Sequence, residues 1–201
     1  MPAASASAEP RLAAVILAAG GSTRLGQPKQ LVKYRGKALI LRTVHLARLS
    51  VGGPVIVVLG DQQQRMRSLL RRHDRRLTIV NNADWQQGLA TSLQAGLKRV
   101  PRTTNAALIL LVDQAKLGAS DISRLISGWC KRPGKPAAAA YLGTAGAPAV
   151  IPRSRFGEVF LLDGDAGARS LLHRLSEVSL VDMPAAGFDV DTPADAAALT
   201  A

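Results

Sequence analysis

The segment Leu17-Ala18-Ala19-Gly20-Gly21-Ser22-Thr23-Arg24-Leu25-Gly26-Gln27-Pro28-Lys29 holds the residues of this chain whose types and spacing best suit chemistry on a polyphosphate. Its glycines let the backbone approach phosphate oxygens and aim amide N–H groups at them, while Arg24 and Lys29 can neutralise several negative charges. Two common phosphate loops are excluded by single positions. The Walker pattern needs Lys and then Ser or Thr after its last glycine, where Gln27 and Pro28 follow Gly26. The dinucleotide pattern Gly-x-Gly-x-x-Gly has Ser22 in place of its second glycine.

Such a loop needs elements to hold it. Ala13 to Ala19 is an apolar run that stops at Gly20-Gly21, as a strand buried on both faces does when it reaches a loop. Similar runs recur at Pro54–Gly60, Leu77–Asn81 and Ala106–Asp113. Between them, helical spacing links Ile40, Val44 and Ala47, then Leu89, Leu93 and Leu97, then Ile122, Leu125, Ile126 and Trp129 after a capping Ser120. Strands alternating with helices predict a single Rossmann-like three-layer α/β/α domain with a mostly parallel sheet, whose ligands bind beyond the carboxyl ends of the strands. Further on, strands are expected at Ala137–Leu142, Ala147–Ile151 and Val178–Met183, and a helix at Ala168–Leu175. Phe188-Asp189-Val190-Asp191 reads as a strand leading into a C-terminal helix that Thr192-Pro193-Ala194-Asp195 starts with a capping box.

The chain carries 26 Lys or Arg against 14 Asp or Glu, a net charge of +12, so an anionic partner suits it. No apolar run is long enough for a membrane span. A single cysteine, Cys130, excludes an internal disulfide and a Cys-based zinc site and fits a reducing compartment. Residues 1–10 lack the basic and apolar regions of a secretion signal and read as a disordered tail of a cytoplasmic protein, before one domain over 11–201.

Val15 to Leu31 resembles the signature of the MobA-like nucleotidyltransferase superfamily, and the molybdenum cofactor cytidylyltransferase (MocA) branch within it. Asn82–Leu93, Val112-Asp113-Gln114, Gly164–Arg169 and Asp189–Pro193 agree with that branch, so the resemblance spans nearly the whole chain after the tail. It implies a GT-A-like nucleotidyltransferase fold and transfer of CMP from CTP to a molybdopterin-type cofactor, with release of pyrophosphate, in a magnesium-dependent step. No covalent enzyme intermediate is then needed, so catalysis is positioning and charge neutralisation.

By the same resemblance, the backbone from Leu17 and Ala18 through Ala19, Gly20, Gly21 and Ser22 cradles the triphosphate. Arg24 neutralises the β and γ phosphates and Lys29 reaches toward the α-phosphate. Asp113 and Asp191 resemble the metal-bearing acids, with Asp189 a close competitor for the second place, since Mg²⁺ takes only one or two carboxylates and leaves its other positions to water and phosphate. Gly88 and Ser92 approach the pyrimidine, Ala19 favours cytidine over guanosine, and Asp165 and Arg169 belong to the acceptor side. Relatives pass their product to enzymes of the xanthine dehydrogenase class, often with an accessory chaperone. Two positions depart from the family: Ala115 follows Gln114 where Pro is usual, which predicts a less rigid loop, and Ala147 stands where many relatives have histidine.

Three other features are read as structural. Trp85, beside a helix start, and Cys130, next to Trp129, are expected in the core. Arg65, Arg67, Arg71, Arg72, Arg75 and Arg76 form a basic run without interleaved aromatic residues, which speaks for a solvated face or an acidic protein partner rather than nucleic acid. The rival readings are transfer to another phosphorylated acceptor such as a sugar phosphate, a non-catalytic carrier of the nucleotide cofactor, and a basic nucleic-acid-binding module.

Overall fold

The β-branched and leucine-rich runs of the sequence become the centre of one sheet, because residues apolar on both sides of the pleat can only be covered by helices on both faces. The computed structural model describes residues 11–164, 172 and 177–199. The expected tail over 1–10, most of the expected helix at Ala168–Leu175, and the candidate residues Asp165 and Arg169 lie outside the described residues.

The sheet comprises β1 (Leu12–Ala18), β4 (Val55–Leu59), β5 (Thr78–Asn81), β6 (Ala106–Leu111), β7 (Ala137–Tyr141), β8 (Thr144–Pro152) and β9 (Ser179–Asp182), in the order β5-β4-β1-β6-β8-β7-β9. A separate two-stranded ribbon of β2 (Lys33–Tyr34) and β3 (Lys37–Ala38) follows the phosphate-type loop. β8 pairs antiparallel with both β6 and β7, and the other ladders of the large sheet are parallel, so the sheet is mostly parallel as the sequence predicts.

Alternation along the strands divides the interior in two. Ala14, Ile16, Ala18, Val57, Leu108 and Leu110 face a core shared with α1 (Leu39–Ser50), α2 (Gln63–His73) and α4 (Ala119–Cys130). Ala13, Val15, Leu17, Val58 and Ile109 face a second core under α3 (Leu89–Leu97) and α5 (Phe156–Val159). Each fully buried Val, Leu or Ile contributes about 1.5–3 kcal/mol relative to exposure, which makes the two-sided apolar strands the main driving force for this arrangement. α3 lies so close to β1 that a Cβ on Gly96 would stand 2.4 Å from a Val15 methyl carbon.

Several local expectations are corrected. α4 is capped by Gly118 rather than Ser120: the Gly118 N–H donates to Asp121 Oδ2 at 2.9 Å, placing the carboxylate at the positive end of the helix. Cys130 is exposed whereas Trp129 is fully buried, since adjacent residues project about 100° apart around a helix. Phe188–Asp191 is extended chain without strand pairing. Its Val190 N–H donates instead to the Asp113 carbonyl at 3.2 Å, so this segment is tied to the loop after β6. In α2 only Met66 and Leu70 are buried, and Arg65, Arg67, Arg71 and Arg72 are exposed, the distribution expected of a solvated face. Among the described residues no helix is long and apolar enough to cross a membrane.

Candidate active site

The segments that follow the carboxyl ends of β1, β5 and β6 come together because β5, β4, β1 and β6 are successive parallel neighbours in the sheet. They border a cleft of about 380 Å³ lined by residues 17–20, Lys29, Gln30, Trp85, Gly88, Ser92 and residues 111–113, among others. The sequence-derived loop, metal-type acid and base-recognition segment thus face one space, although Asp113 stands two residues beyond the end of β6 rather than on it.

A four-membered charge network closes one side. Lys29 Nζ donates to Asp113 Oδ2 at 2.7 Å and to Asp191 Oδ1 at 2.8 Å, and an Arg24 guanidinium nitrogen donates to Asp191 Oδ2 at 2.9 Å. The Lys29 and Asp113 side chains are 15 % and 17 % exposed, whereas Arg24 is 73 % exposed. Burial alone would lower the Lys29 pKa, but the charge and hydrogen bond of Asp113, reinforced by Asp191, outweigh it and hold the ammonium above its ordinary value. Lys29 therefore remains a fixed positive charge through neutral pH. Asp189 is exposed, and the ion pairs to Lys29 and Arg24 are made by Asp191.

Both acids are held by their surroundings. The Ala115 N–H donates to the Asp113 carbonyl at 2.8 Å, a tight turn that uses the donor a proline would lack. Gln114, buried beside it, donates from Nε2 to the carbonyls of Ala147 at 2.8 Å and Ala186 at 2.9 Å. The loop expected to be less rigid for want of a proline is thus fastened by hydrogen bonds, with Ala147 as one anchor. Asp191 sits at the C-terminal helix Pro193–Ala198, where Asp195 Oδ2 accepts from the backbone N–H groups of Thr192 at 2.8 Å and Asp191 at 3.1 Å. The Thr192 hydroxyl and these two N–H groups hold the Asp195 carboxyl below the usual carboxylate range, and the capping box read from the sequence fixes the chain that carries Asp191.

The β1 loop is shaped from within. Ser22 adopts a left-handed φ of 53°, its carbonyl accepts from Leu25 and Gly26, and its hydroxyl accepts from the Lys29 N–H at 3.0 Å. Gln30, a residue not singled out in the sequence, is buried under the loop and donates to the carbonyls of Ala18 and Gly20. It lies inside the Val15–Leu31 signature, but a polar residue directly after Lys29 does not by its type distinguish a buried amide from a surface one.

Across the cleft, Asn82 Nδ2 donates to Thr91 Oγ1 at 2.9 Å and Ser92 Oγ at 3.0 Å, fastening the end of β5 to α3. Gly88, at a φ of 113° open chiefly to glycine, makes the turn into α3. Trp85 is not in the core: it is half-buried and lines the cleft, with its ring against Gly60 and Gly21. A Cβ on Gly60 would lie 2.6 Å from both the Ala19 carbonyl oxygen and Trp85 Cγ. Gly60→Val is accordingly expected to displace the tryptophan and the loop together, costing about 1–3 kcal/mol of stability by overpacking. Chemical denaturation and tryptophan fluorescence check this, and an unchanged emission spectrum would count against the contact.

The site fits a divalent cation in one specific respect. Asp113 Oδ1 is buried without a hydrogen-bond partner while Asp113 Oδ2 and Asp191 Oδ1 share one ammonium, so two carboxylates already converge on a positive charge and one oxygen is unused. Among the described residues no cluster of three or more His, Cys, Asp or Glu could enclose a metal, so an ion here would complete its coordination with water and phosphate oxygens, as Mg²⁺ commonly does.

A family model described as the MobA-like NTP transferase domain matches residues 14–178. A protein named nicotine blue oxidoreductase from Paenarthrobacter nicotinovorans is 35 % identical over 198 residues, covering 91 % of this chain and 93 % of its own. Among solved structures, Rv0371c from Mycobacterium tuberculosis H37Rv superposes with a TM-score of 0.79 at 28 % identity, over 94 % of this chain and 97 % of that one. A manganese complex of Rv0371c matches with a TM-score of 0.75 over the same shares.

Proposed function

The chain belongs to the MobA-like NTP transferase family, and we propose that within it the protein is a magnesium-dependent cytidylyltransferase that transfers CMP from CTP to a molybdopterin-type cofactor and releases pyrophosphate. The observation that carries this reading is the convergence of Lys29, Asp113 and Asp191 within 2.8 Å contacts beside the glycine loop, with Lys29 and Asp113 on the cleft that Gly88 and Ser92 also line.

The roles follow from charge. The β1 loop backbone receives the triphosphate, Arg24 is exposed enough to swing onto the β and γ phosphates, and Lys29 faces the α-phosphate. Asp113 and Asp191 would hold the divalent ion, which when bound neutralises charge on the phosphates. An acceptor phosphate oxygen attacks the α-phosphorus, its new P–O bond forming as the bond to the pyrophosphate oxygen breaks, and no side chain is consumed. Positioning and fixed positive charge are what such a phosphoryl-type transfer requires. Ala19 supports cytidine as the base. An apoenzyme of the xanthine dehydrogenase class or its accessory chaperone is the proposed recipient, and the cytoplasm the proposed compartment.

The test is pyrophosphate release with Mg²⁺, molybdopterin-type cofactor and either CTP or GTP, with Arg24→Ala alongside. Release with CTP and an approximately 10²-fold loss in the variant are expected. Release only with a sugar phosphate as acceptor would move the substrate, and equal rates with GTP would remove the cytidine preference. A second reading, a redox activity, is favoured by the relative named nicotine blue oxidoreductase. It predicts substrate-dependent electron transfer with no pyrophosphate formed.

A further inference from the structure

Gln30 is 2 % exposed, and its amide nitrogen donates one hydrogen bond to the Ala18 carbonyl at 2.9 Å and one to the Gly20 carbonyl at 3.1 Å. Both protons of the NH₂ group are then used. In a trans peptide the carbonyl and the following N–H point to opposite sides of the chain, so holding these two carbonyls toward Gln30 turns the N–H groups of Ala19 and Gly21 the other way. Among the described residues neither of those N–H groups donates to a protein acceptor. The intervening carbonyl of Ala19 is set separately, by the Asp61 N–H at 3.1 Å.

We infer that Gln30 is a positioning residue that fixes the polarity of the β1 loop, presenting the Ala19 and Gly21 amides to an anionic polyphosphate. The inference rests on the nucleotidyl-transfer reading only for the identity of that anion. The Gly20–Gly21 peptide is otherwise free to flip and turn a carbonyl oxygen toward the phosphate, replacing attraction by repulsion, whereas the Ala18 carbonyl is also directed by β1, where Ala18 pairs with Leu59. Gln30 removes that freedom before the anion arrives, so the ordering cost is met by folding rather than by binding. Glycines at 20 and 21 permit the close approach, and the buried amide decides which way the peptide dipoles face.

The test uses Gln30→Met, which keeps the length and packing of the side chain and deletes both donors. Inorganic tripolyphosphate is the probe, titrated by calorimetry and followed in ¹⁵N-labelled protein by amide chemical shifts. The wild type is expected to bind it with shifts at Ala19 and Gly21. Gln30→Met is expected to bind about tenfold more weakly and to lose those two shifts. Equal affinity with the same shifts, or a lowered melting temperature with unchanged affinity, would overturn the inference and leave the proposed reaction standing. Failure of the wild type to bind tripolyphosphate would remove the polyphosphate reading and this role with it. If Gln30→Met does not fold, Gln30→Leu carries the test, since it is also apolar, deletes both donors without adding charge and should give the same loss.

Discussion

Replacing Lys29 by methionine is expected to lower nucleotidyl transfer by about 10²–10³-fold, the usual loss when one preorganised charge facing the reacting centre is removed. Three features put Lys29 ahead of Arg24 in this respect. Its ammonium is mostly buried, it is held by two carboxylates at 2.7 and 2.8 Å, and its own backbone N–H is fixed to Ser22 Oγ. Arg24 is far more exposed and has one carboxylate partner among the described residues. The same substitution leaves Asp191 to Arg24 alone and Asp113 without its cation, and that unpaired, mostly buried carboxylate should cost about 1–3 kcal/mol. That second effect gives an independent readout. Added Mn²⁺ or Mg²⁺ should raise the melting temperature of Lys29→Met more than that of the wild type, because the ion no longer competes with an ammonium for the same oxygens. Turnover within tenfold of wild type would refute the catalytic role, and equal metal-induced shifts would refute the placing of the ion between these acids.

Trp129→Ala should be the most destabilising single change in the fold. The side chain is fully buried in the core beneath α4, and its indole N–H donates to the Pro133 carbonyl at 3.1 Å, where the chain leaves the helix. Removing it opens a cavity between α4 and the sheet and leaves that carbonyl without its donor, for about 3–5 kcal/mol. In a domain of this size that corresponds to a fall of roughly 6–20 °C in melting temperature. Trp129→Phe fills most of the space and should recover much of the loss. Activity measured well below the transition should be unchanged in both variants, since Trp129 does not line the catalytic cleft. A fall of less than about 1 kcal/mol would mean that the core collapses around the gap, contrary to the close packing of such interiors.

The sequence alone determined which segments are strands and helices over most of the described chain, because the apolar runs at β1, β4 and β6 admit only a two-sided cover and the helical spacing between them supplies it. It also determined the glycine loop with Arg24 and Lys29, and the Thr192–Asp195 capping box, since these depend on residues within one or two turns of each other. The antiparallel insertion of β8 was not legible. Its apolar run is as well satisfied in either direction, and only pairing with β6 and β7 chooses. The tertiary structure likewise decided what lies far apart in the chain: that Asp191 meets Lys29, that Ala147 anchors Gln114, and that Trp85 leaves the core for the cleft. A polar residue such as Gln30 looks the same in sequence whether it faces water or two buried carbonyls. Its hydrogen bonds to Ala18 and Gly20 appear only when the loop after β1 folds back on itself, since hydrogen-bond partners are assigned by position in space and not by residue type.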